Sequence, residues 1–291
     1  MTDAALLVPL PRLMVEPIVR AALLEDLGRA GDLTTDAIVP AGLTMNAVIA
    51  ARQEGVISGV DTAVIAFGLI DPAVAVTVER GDGARVAPGD VVIRLEGPAR
   101  AIITAERVAL NLLCRMSGVA TATAGLVAAA RPHGKARIVC TRKTTPGLRA
   151  LEKHAVRAGG GSNHRFGLDD AVLIKDNHVA VAGGVGEAVA RAVAAGIASI
   201  IVEVDRLDQI APALDAGATH LLLDNMDAET LRAAVAAVAG RVPTEASGGV
   251  RLDTIRSIAE TGVTYISVGR LTQSAPAVDI GLDFAAEPPR G

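Results

Sequence analysis

The second half of the chain alternates short apolar runs with Ala-rich amphipathic segments. Gly186–Ala195, Ala228–Ala239 and Leu252–Thr261 have the apolar periodicity of helices. The apolar runs recur at roughly 20–30 residues, which is typical of βα units, and such connections make consecutive strands parallel. The predicted strands are Ala136–Cys140, Ala171–Ile174, Ser199–Val204, Thr219–Leu223, Thr244–Ala246 and Thr264–Val268. Six units of this kind indicate an α/β fold, either a barrel or an open parallel sheet.

The first part of the chain, to about residue 110, has a mixed α+β pattern. Met14–Leu27 and Ile103–Ser117 are predicted helices, and turn-forming residues separate the strand-like runs between them. These runs are Asn46–Ala51, Val74–Glu79 and Val91–Glu96. The Gly- and Thr-containing stretch Ser117–Gly134 is interpreted as a linker. The pattern therefore predicts two domains.

Composition excludes several classes of function. The 291 residues have a formal charge of −4 and only 1% aromatic residues, so neither electrostatic attraction to nucleic acid nor a base-stacking platform is expected. Cys114 and Cys140 are too few for a disulfide framework and lack metal-site spacing. The longest uncharged run, about Met116–Ala130, is too short to span a membrane, and no signal peptide is evident. We expect a cytoplasmic protein without a nucleic-acid or membrane partner.

Each predicted strand of the second half ends in charged residues or glycines. In strand order these ends are Thr141-Arg142-Lys143, Lys175-Asp176-Asn177-His178, Glu203-Val204-Asp205, Asp224-Asn225, Ser247-Gly248-Gly249 and Gly269-Arg270. One or two such ends would be ordinary helix caps. Caps do not explain Lys143, Lys175 and Glu203, and functional groups at every strand end are typical of the active-site face of a barrel.

The charges at these strand ends suggest the chemistry of the ligands. The first two strands and the loop between them supply cations, which suit a substrate with several carboxylates. Glu203 and Asp224 suit a developing positive charge or a Mg²⁺ ion. The later, Gly-rich ends suit a phosphate group. Together these features predict transfer of a phosphoribosyl group to a small polycarboxylic acid.

The same residues form motifs that resemble the quinolinate phosphoribosyltransferase family, the decarboxylating nicotinate-nucleotide pyrophosphorylases of NAD synthesis. The resemblance extends from about residue 14 to about residue 284. The motifs that carry it are Glu25-Asp26-Leu27-Gly28, Gly31-Asp32-Leu33-Thr34-Thr35, Glu106-Arg107, Thr141-Arg142-Lys143-Thr144-Thr145-Pro146-Gly147, Asn163-His164-Arg165, Lys175-Asp176-Asn177-His178, Val202-Glu203-Val204, Leu223-Asp224-Asn225, Glu245-Ala246-Ser247-Gly248-Gly249 and Ser267-Val268-Gly269. Cys140 and Asp205 are small departures from the family pattern, and neither is a charged anchor.

The resemblance implies an incomplete α/β barrel of the type II phosphoribosyltransferase kind with an N-terminal α+β sandwich domain. The sandwich would comprise residues 1–116 with the C-terminal segment 275–291, and the barrel residues 117–274. The final segment, Asp279–Phe284, would return to the sandwich. The family pattern further implies a homodimer in which Arg107 enters the partner's active site, and higher assembly stays open.

The resemblance also implies a reaction: quinolinate and phosphoribosyl pyrophosphate give nicotinate mononucleotide, pyrophosphate and CO₂. Lys143, Lys175, Glu203 and Asp224 would be catalytic. The substrate-binding set would be Arg107, Thr141, Arg142, Lys143, His164, Arg165, Lys175, Glu203, Asp224, Ser247, Gly248, Gly249, Ser267, Val268 and Gly269. Mg²⁺ would be held largely by substrate, with Glu203 and Asp224 as protein ligands. No organic cofactor is expected, because the pyridinium can serve as the electron sink.

Three alternatives remain open from the sequence. The first is the molybdenum-operon relative of the same fold, which shares the Arg-Lys-Thr-x-Pro-Gly core. The second is an aldolase barrel in which Lys175 forms a Schiff base, since a Lys at a strand end permits this chemistry. The third is a non-catalytic module that binds a nicotinate precursor.

Overall fold

The computed structural model describes residues 7–285 and divides the chain into two compact units. The first unit comprises the residues up to Ala122, the segment Thr144–Gly160 and the residues from Ser274 onward. The second comprises Thr123–Lys143 and Gly161–Gln273. Each unit therefore contains more than one stretch of the chain.

The helices and strands have the following bounds along the chain. Those up to residue 160 are α1 (Arg12–Leu27), α2 (Leu33–Ile38), β1 (Thr44–Ala51), β2 (Gly55–Val56), α3 (Val60–Ile70), β3 (Ala75–Val78), β4 (Arg85–Val86), β5 (Val91–Pro98), α4 (Ala99–Ala130), β6 (Arg137–Val139) and α5 (Arg149–Ala158). Those that follow are β7 (Val172–Ile174), α6 (Asp176–Ala182), α7 (Val185–Ala194), β8 (Ile200–Val204), α8 (Ile210–Asp215), β9 (His220–Asp224), α9 (Ala228–Val238), β10 (Thr244–Ser247), α10 (Ile255–Ala259), β11 (Tyr265–Ser267), α11 (Arg270–Gln273) and β12 (Ile280–Ala285).

The first unit contains an antiparallel sheet with strand order β12-β1-β5-β3. Ile49 of β1 is paired with Leu282 of β12 on one side and with Ile93 of β5 on the other. Ile49 and Ile93 are fully buried, and so is Phe67 of α3. Strand β12 contains most of the segment Asp279–Phe284, so the end of the described chain completes the N-terminal sheet.

Helix α4 is longer than the helix predicted in the middle of the chain, so the predicted linker after it is wrong. The helix was expected to end at Ser117 and to be followed by a linker to Gly134, but it continues without a break to Ala130. Gly118 lies within the stretch that was interpreted as a linker, and a Cβ atom at this position would overlap the carbonyl oxygen of Pro276. Because Gly118 has no Cβ atom, the backbone of α4 can approach the backbone at Pro276 closely inside the first unit. The glycine does not end the helix.

Within residues 7–285, one helical stretch, Ala99–His133, is long and apolar enough to cross a membrane by length and composition alone. It contains α4 and the 3₁₀ turn that follows it. Of its most apolar window, 56% is buried inside the protein. Buried core helices of soluble proteins have the same length and composition, so this stretch is weak evidence for a membrane span.

The second unit is built on a six-stranded sheet with strand order β6-β11-β10-β9-β8-β7. Its strand pairs are all parallel. The side chains of Val202, Leu221, Leu223 and Ile266 are fully buried, as expected for strands covered on both faces. The predicted α/β fold with an incomplete barrel and an N-terminal sheet domain is confirmed, and every strand of this sheet lies within one residue of its predicted bounds.

Helix α10 is shorter than the predicted helix Leu252–Thr261. The hydroxyl of Thr254 accepts the N–H of Arg251, and this turn precedes the first helical residue, Ile255. The strand end at Ser247-Gly248-Gly249 is therefore followed by a turn rather than directly by a helix.

Candidate active site

The strand ends of the second unit surround one cavity of about 720 Å³. This volume is ordinary for a small-molecule site. The predicted site residues that line it are Thr141, Arg142, Lys143, His164, Arg165, Lys175, Glu203, Asp224, Ser247, Gly248, Gly249, Ser267, Val268 and Gly269. Further lining residues, which the sequence did not single out as site residues, include Asn225, Glu245, Arg251 and Arg270. The sheet thus brings together fourteen of the fifteen predicted substrate-binding residues.

Two guanidinium groups on the cavity wall contain buried donors without a partner. The Nε atoms of Arg142 and Arg165 are buried and form no hydrogen bond with the described residues. Burial lowers the pKa of Arg165, and the neighbouring charge of Arg142 lowers it further. A buried donor without an acceptor is costly, and two adjacent cations repel each other. The site is therefore suited to a ligand that supplies anionic oxygens to both side chains.

Lys143 follows β6, and hydrogen bonds between its backbone and two threonine side chains fix its position. Its N–H donates to Thr141 Oγ1 at 3.0 Å, and its carbonyl accepts from Thr272 Oγ1 at 2.7 Å. A Cβ atom on Gly269 would lie only 3.0 Å from Lys143 Cδ. The glycine at this position therefore leaves room for the aliphatic part of Lys143.

Two carboxylates on neighbouring strands also line the cavity. Glu203 ends the buried run of β8, and its Oε2 accepts from Lys175 Nζ at 3.1 Å. Asp224 ends β9, and its Oδ2 accepts from Asn225 Nδ2 at 2.6 Å. Each carboxylate thus has one oxygen held by a neighbouring side chain, and its orientation is fixed before a substrate binds.

Glu203 and Asp224 fit a metal ion only in combination with other ligands. Within residues 7–285, no group of three or more His, Cys, Asp or Glu side chains is arranged to hold a metal ion. Mg²⁺ in phosphoryl and pyrophosphate sites is commonly held by one or two carboxylates, with substrate phosphates and water as the remaining ligands. The donor set is compatible with that mode and not with a cage made by protein alone.

The end of β10 exposes backbone rather than side chains. Gly248 and Gly249 have φ angles of +94° and +62°, which non-glycine residues rarely adopt. A Cβ atom on Gly248 would also overlap Asn225 Oδ1. Consecutive backbone N–H groups in such a conformation form a concave surface for anions. This part of the cavity is suited to a phosphate group.

A buried charge cluster lies at the cavity wall, and His164 is the member of it that was predicted as a site residue. Glu245 is 1% exposed, and its Oε2 lies 3.5 Å from His164 Nε2 and 3.3 Å from His220 Nε2. Burial raises the pKa of Glu245, but the two neighbouring imidazoles outweigh it and lower the pKa to about 2. The His220 ring stacks on Tyr265. The sequence analysis grouped residues that follow the strands, whereas His220 is the first residue of β9. The sequence signal for this cluster was therefore the motif Glu245-Ala246-Ser247.

The lowered pKa of Glu245 predicts a loss of stability in acid. A carboxyl whose pKa is lower in the folded protein stabilises the fold above its unfolded pKa, here about 4.5, and this stabilisation disappears as the pH falls towards 2. The difference corresponds to about 3 kcal/mol. We expect the unfolding free energy, measured in urea between pH 7 and pH 3, to fall more steeply for wild type than for Glu245→Gln. Equal pH dependence of the two proteins would contradict this role.

Arg107 is the predicted site residue that does not line the cavity. It lies on α4 in the first unit, its side chain is 65% exposed, and its guanidinium is 3.9 Å from Glu106. Within the described chain, the cavity wall consists of residues of the second unit alone.

Two family models match the chain. Residues 32–117 match the model described as quinolinate phosphoribosyl transferase, N-terminal domain, and residues 119–283 match the C-terminal domain of the same family. Together they cover most of the chain.

Curated and structurally known relatives agree with these matches. The chain is 47% identical over 275 residues to the nicotinate-nucleotide pyrophosphorylase (carboxylating) of Mycobacterium leprae, covering 91% of this chain and 95% of the relative. It is 41% identical to the probable enzyme of the same name from Bacillus subtilis, with 93% of each chain covered. The solved nicotinate-nucleotide pyrophosphorylase of Francisella tularensis superposes with a TM-score of 0.90 at 36% identity, covering 96% of this chain and 98% of that one.

Proposed function

The chain belongs to the quinolinate phosphoribosyltransferase family and is a decarboxylating phosphoribosyltransferase, and we propose that the cavity of the second unit binds both of its substrates. The reaction joins quinolinate to the ribosyl carbon of phosphoribosyl pyrophosphate. It releases pyrophosphate and CO₂ and gives nicotinate mononucleotide, a precursor in NAD biosynthesis.

The observation that carries this proposal is the pair of buried, unpaired guanidinium donors in the cavity. Arg142 and Arg165 bind the carboxylates of quinolinate, because a planar guanidinium matches a carboxylate in a bidentate fork. Thr141 and His164 also line the cavity. Lys143 and Lys175 lie between the two substrates and reach both.

The phosphoribosyl substrate is proposed to occupy the side of the later strands. Lys143 and the backbone of Gly248 and Gly249 bind its phosphate oxygens, which suits a charged ammonium and exposed N–H groups. Glu203 and Asp224 face the ribose. The remaining contacts are proposed to come from Ser247, Ser267, Val268 and Gly269, which line the cavity at the ends of β10 and β11.

Mg²⁺ is the proposed cofactor. Glu203 and Asp224 would hold it together with the substrate's pyrophosphate, and it would neutralise charge on the leaving group. The resemblance implies no organic cofactor, and the proposal needs none.

The chain's own charges favour the transfer step. Departure of pyrophosphate leaves positive charge on the ribosyl carbon, and the fixed carboxylates of Glu203 and Asp224 stabilise that charge where it develops. The pyridine nitrogen of quinolinate donates its electron pair to this carbon and becomes a pyridinium. Arg142 and Arg165 orient the ring for this attack through its carboxylates.

Decarboxylation follows from the same pyridinium. The bond between the ring carbon next to nitrogen and its carboxylate breaks, CO₂ leaves, and the electron pair stays on the ring carbon. The adjacent positive nitrogen stabilises this carbanion until it takes up a proton. We propose that the cavity binds the leaving carboxylate less firmly than the other one, since tight binding would oppose its loss.

The enzyme is further proposed to act as a homodimer in the cytoplasm, without nucleic-acid or membrane partners. Arg107 is exposed and lies outside the cavity wall, which supports a role in the partner's active site. Four apolar residues of α1 and α2 in the first unit are also more than half exposed, and a second subunit that covered them would remove apolar surface from water. These residues are Leu13, Leu24, Leu33 and Ile38. The domains are proposed to be 1–116 with 275–291 and 117–274.

The Schiff-base aldolase interpretation is disfavoured by the environment of Lys175. A Schiff-base lysine must have its amine free to attack a carbonyl carbon, whereas Lys175 Nζ donates to Glu203 Oε2 at 3.1 Å. The names of the relatives likewise support the transferase rather than the aldolase, the molybdenum-operon relative or a non-catalytic binding module.

Removal of either carboxylate should slow the chemical step. Glu203→Gln and Asp224→Asn each lose one electrostatic group that acts on the cationic transition state, so kcat should fall on the order of 10²-fold. Steady-state kinetics with both substrates and calorimetry with quinolinate alone check this result. Quinolinate affinity should change little.

A matched control is Asp215→Asn, which removes an exposed carboxylate at the C-terminal end of α8, 3.6 Å from Arg241. This variant should keep wild-type kcat. If quinolinate affinity collapses in Glu203→Gln or Asp224→Asn while kcat is intact, the proposed role of the carboxylates is wrong.

A further inference from the structure

Asn225 has an unusual backbone conformation directly after β9. Its φ angle is 54°, and Asn225 and Ala239 are the two non-glycine residues between 7 and 285 with a positive φ. Asn adopts this left-handed conformation more readily than most residues. The position lines the cavity, immediately after the carboxylate of Asp224.

The contacts of Asn225 join the ends of two neighbouring strands. Its N–H donates to the carbonyl of Ser247 at 2.9 Å. Its side-chain Nδ2 donates to Asp224 Oδ2 at 2.6 Å. Its Oδ1 occupies the space that a Cβ atom on Gly248 would need, and that Cβ atom would also lie 3.0 Å from the Asn225 nitrogen.

We infer that Asn225 is a positioning residue that fixes the carboxylate of Asp224 and supports the exposed backbone at Gly248. This inference rests on the proposed function, because it assigns to Asp224 and Gly248 the binding of the phosphoribosyl substrate. One carboxylate oxygen is held by the amide of Asn225, so Asp224 keeps a single orientation while its other oxygen acts on the substrate. Without this hydrogen bond the carboxylate can rotate, and its field is no longer preorganised.

A purely structural role for Asn225 predicts a different pattern. A turn that needs only a positive φ would accept glycine without loss. Asn225 is also exposed, so its side chain contributes little to burial. Glycine lacks the side-chain amide that donates to Asp224. Aspartate lacks this donor too, and it adds a second negative charge beside the carboxylate of Asp224.

The test compares Asn225→Gly and Asn225→Asp with wild type. Asn225→Gly keeps the backbone conformation and should lower kcat about 10-fold. Asn225→Asp keeps the side-chain shape but places a carboxylate against Asp224, so it should lower kcat further, on the order of 10²-fold. Ala239→Gly, which relieves the same backbone conformation at the end of α9, is the matched control and should retain wild-type kcat. Melting temperatures of the variants should stay close to that of wild type.

Two measurements distinguish a positioning role of Asn225 from a purely structural one. In calorimetry, Asn225→Asp should weaken binding of phosphoribosyl pyrophosphate at least 10-fold and leave quinolinate binding within about twofold. In a double-mutant cycle, Asn225→Gly added to Asp224→Asn should cost less than about twofold in kcat, because the group it orients has changed.

Wild-type activity in Asn225→Asp, or fully additive losses in the cycle, would overturn the inference while leaving the proposed function intact. Equal losses in Asn225→Gly and Asn225→Asp, accompanied by lower melting temperatures, would also overturn it in favour of a structural role. A wild-type protein that binds neither substrate would refute the proposed function itself, and the inference with it.

Discussion

Nicotinate should be a very poor substrate compared with quinolinate. It carries one carboxylate where quinolinate carries two, so it would leave a buried guanidinium donor of Arg142 or Arg165 without a partner. Sites built to pair a polar group reject the analogue that lacks it by about 10⁴-fold or more. We therefore expect kcat/KM for quinolinate to exceed that for nicotinate by roughly this factor, with both measured at the same concentration of phosphoribosyl pyrophosphate.

The guanidinium groups of Arg142 and Arg165 should be the source of this preference for quinolinate. Arg142→Gln should reduce the preference for quinolinate by lowering its kcat/KM, whereas Arg241→Gln, an exposed guanidinium paired with Asp215, should leave the preference unchanged. Comparable kcat/KM for nicotinate and quinolinate in wild type would contradict the proposed carboxylate pocket.

Two inactive variants should restore each other if active sites are shared across a dimer. Arg107→Ala and Lys175→Ala should each be inactive alone, since each removes a proposed substrate contact from every site. In a mixed dimer, one site contains Arg107 from one chain and Lys175 from the other, while the second site contains both defects. Random exchange makes half of the dimers mixed, so activity should recover to roughly one quarter of the wild-type value per site.

Native mass spectrometry should establish that mixed dimers have formed. A control mixture of Lys175→Ala with Lys143→Ala should stay inactive, because both residues line the cavity of the same unit. If mixed dimers of Arg107→Ala and Lys175→Ala are present but inactive, Arg107 does not act in the partner's site.

Most of the barrel could be predicted because its strands are short, apolar and closely spaced. The pattern located β8 and β9 within one residue, and the residues at their carboxyl ends, Glu203 and Asp224, line the cavity. Parallel strands place these ends at one edge of the sheet, so sequence order alone was enough to group them.

Other features depend on contacts between distant segments and left no local signal. The stretch Ser117–Gly134 was interpreted as a linker, but Gly118 lies within α4, where the absence of a side chain allows a close approach to Pro276, more than 150 residues later. Likewise, Glu245 carries a buried charge because the fold places His164 and His220 beside it. Neither pairing follows from hydrophobic periodicity.

The measurement that most directly tests the account uses quinolinate labelled in the carboxylate next to the ring nitrogen. The protein is incubated with this substrate, phosphoribosyl pyrophosphate and Mg²⁺, and the products are analysed by mass spectrometry and as released CO₂. The account predicts unlabelled nicotinate mononucleotide, pyrophosphate and labelled CO₂ in equal amounts. No nucleotide product, or a product that retains the label, would contradict it.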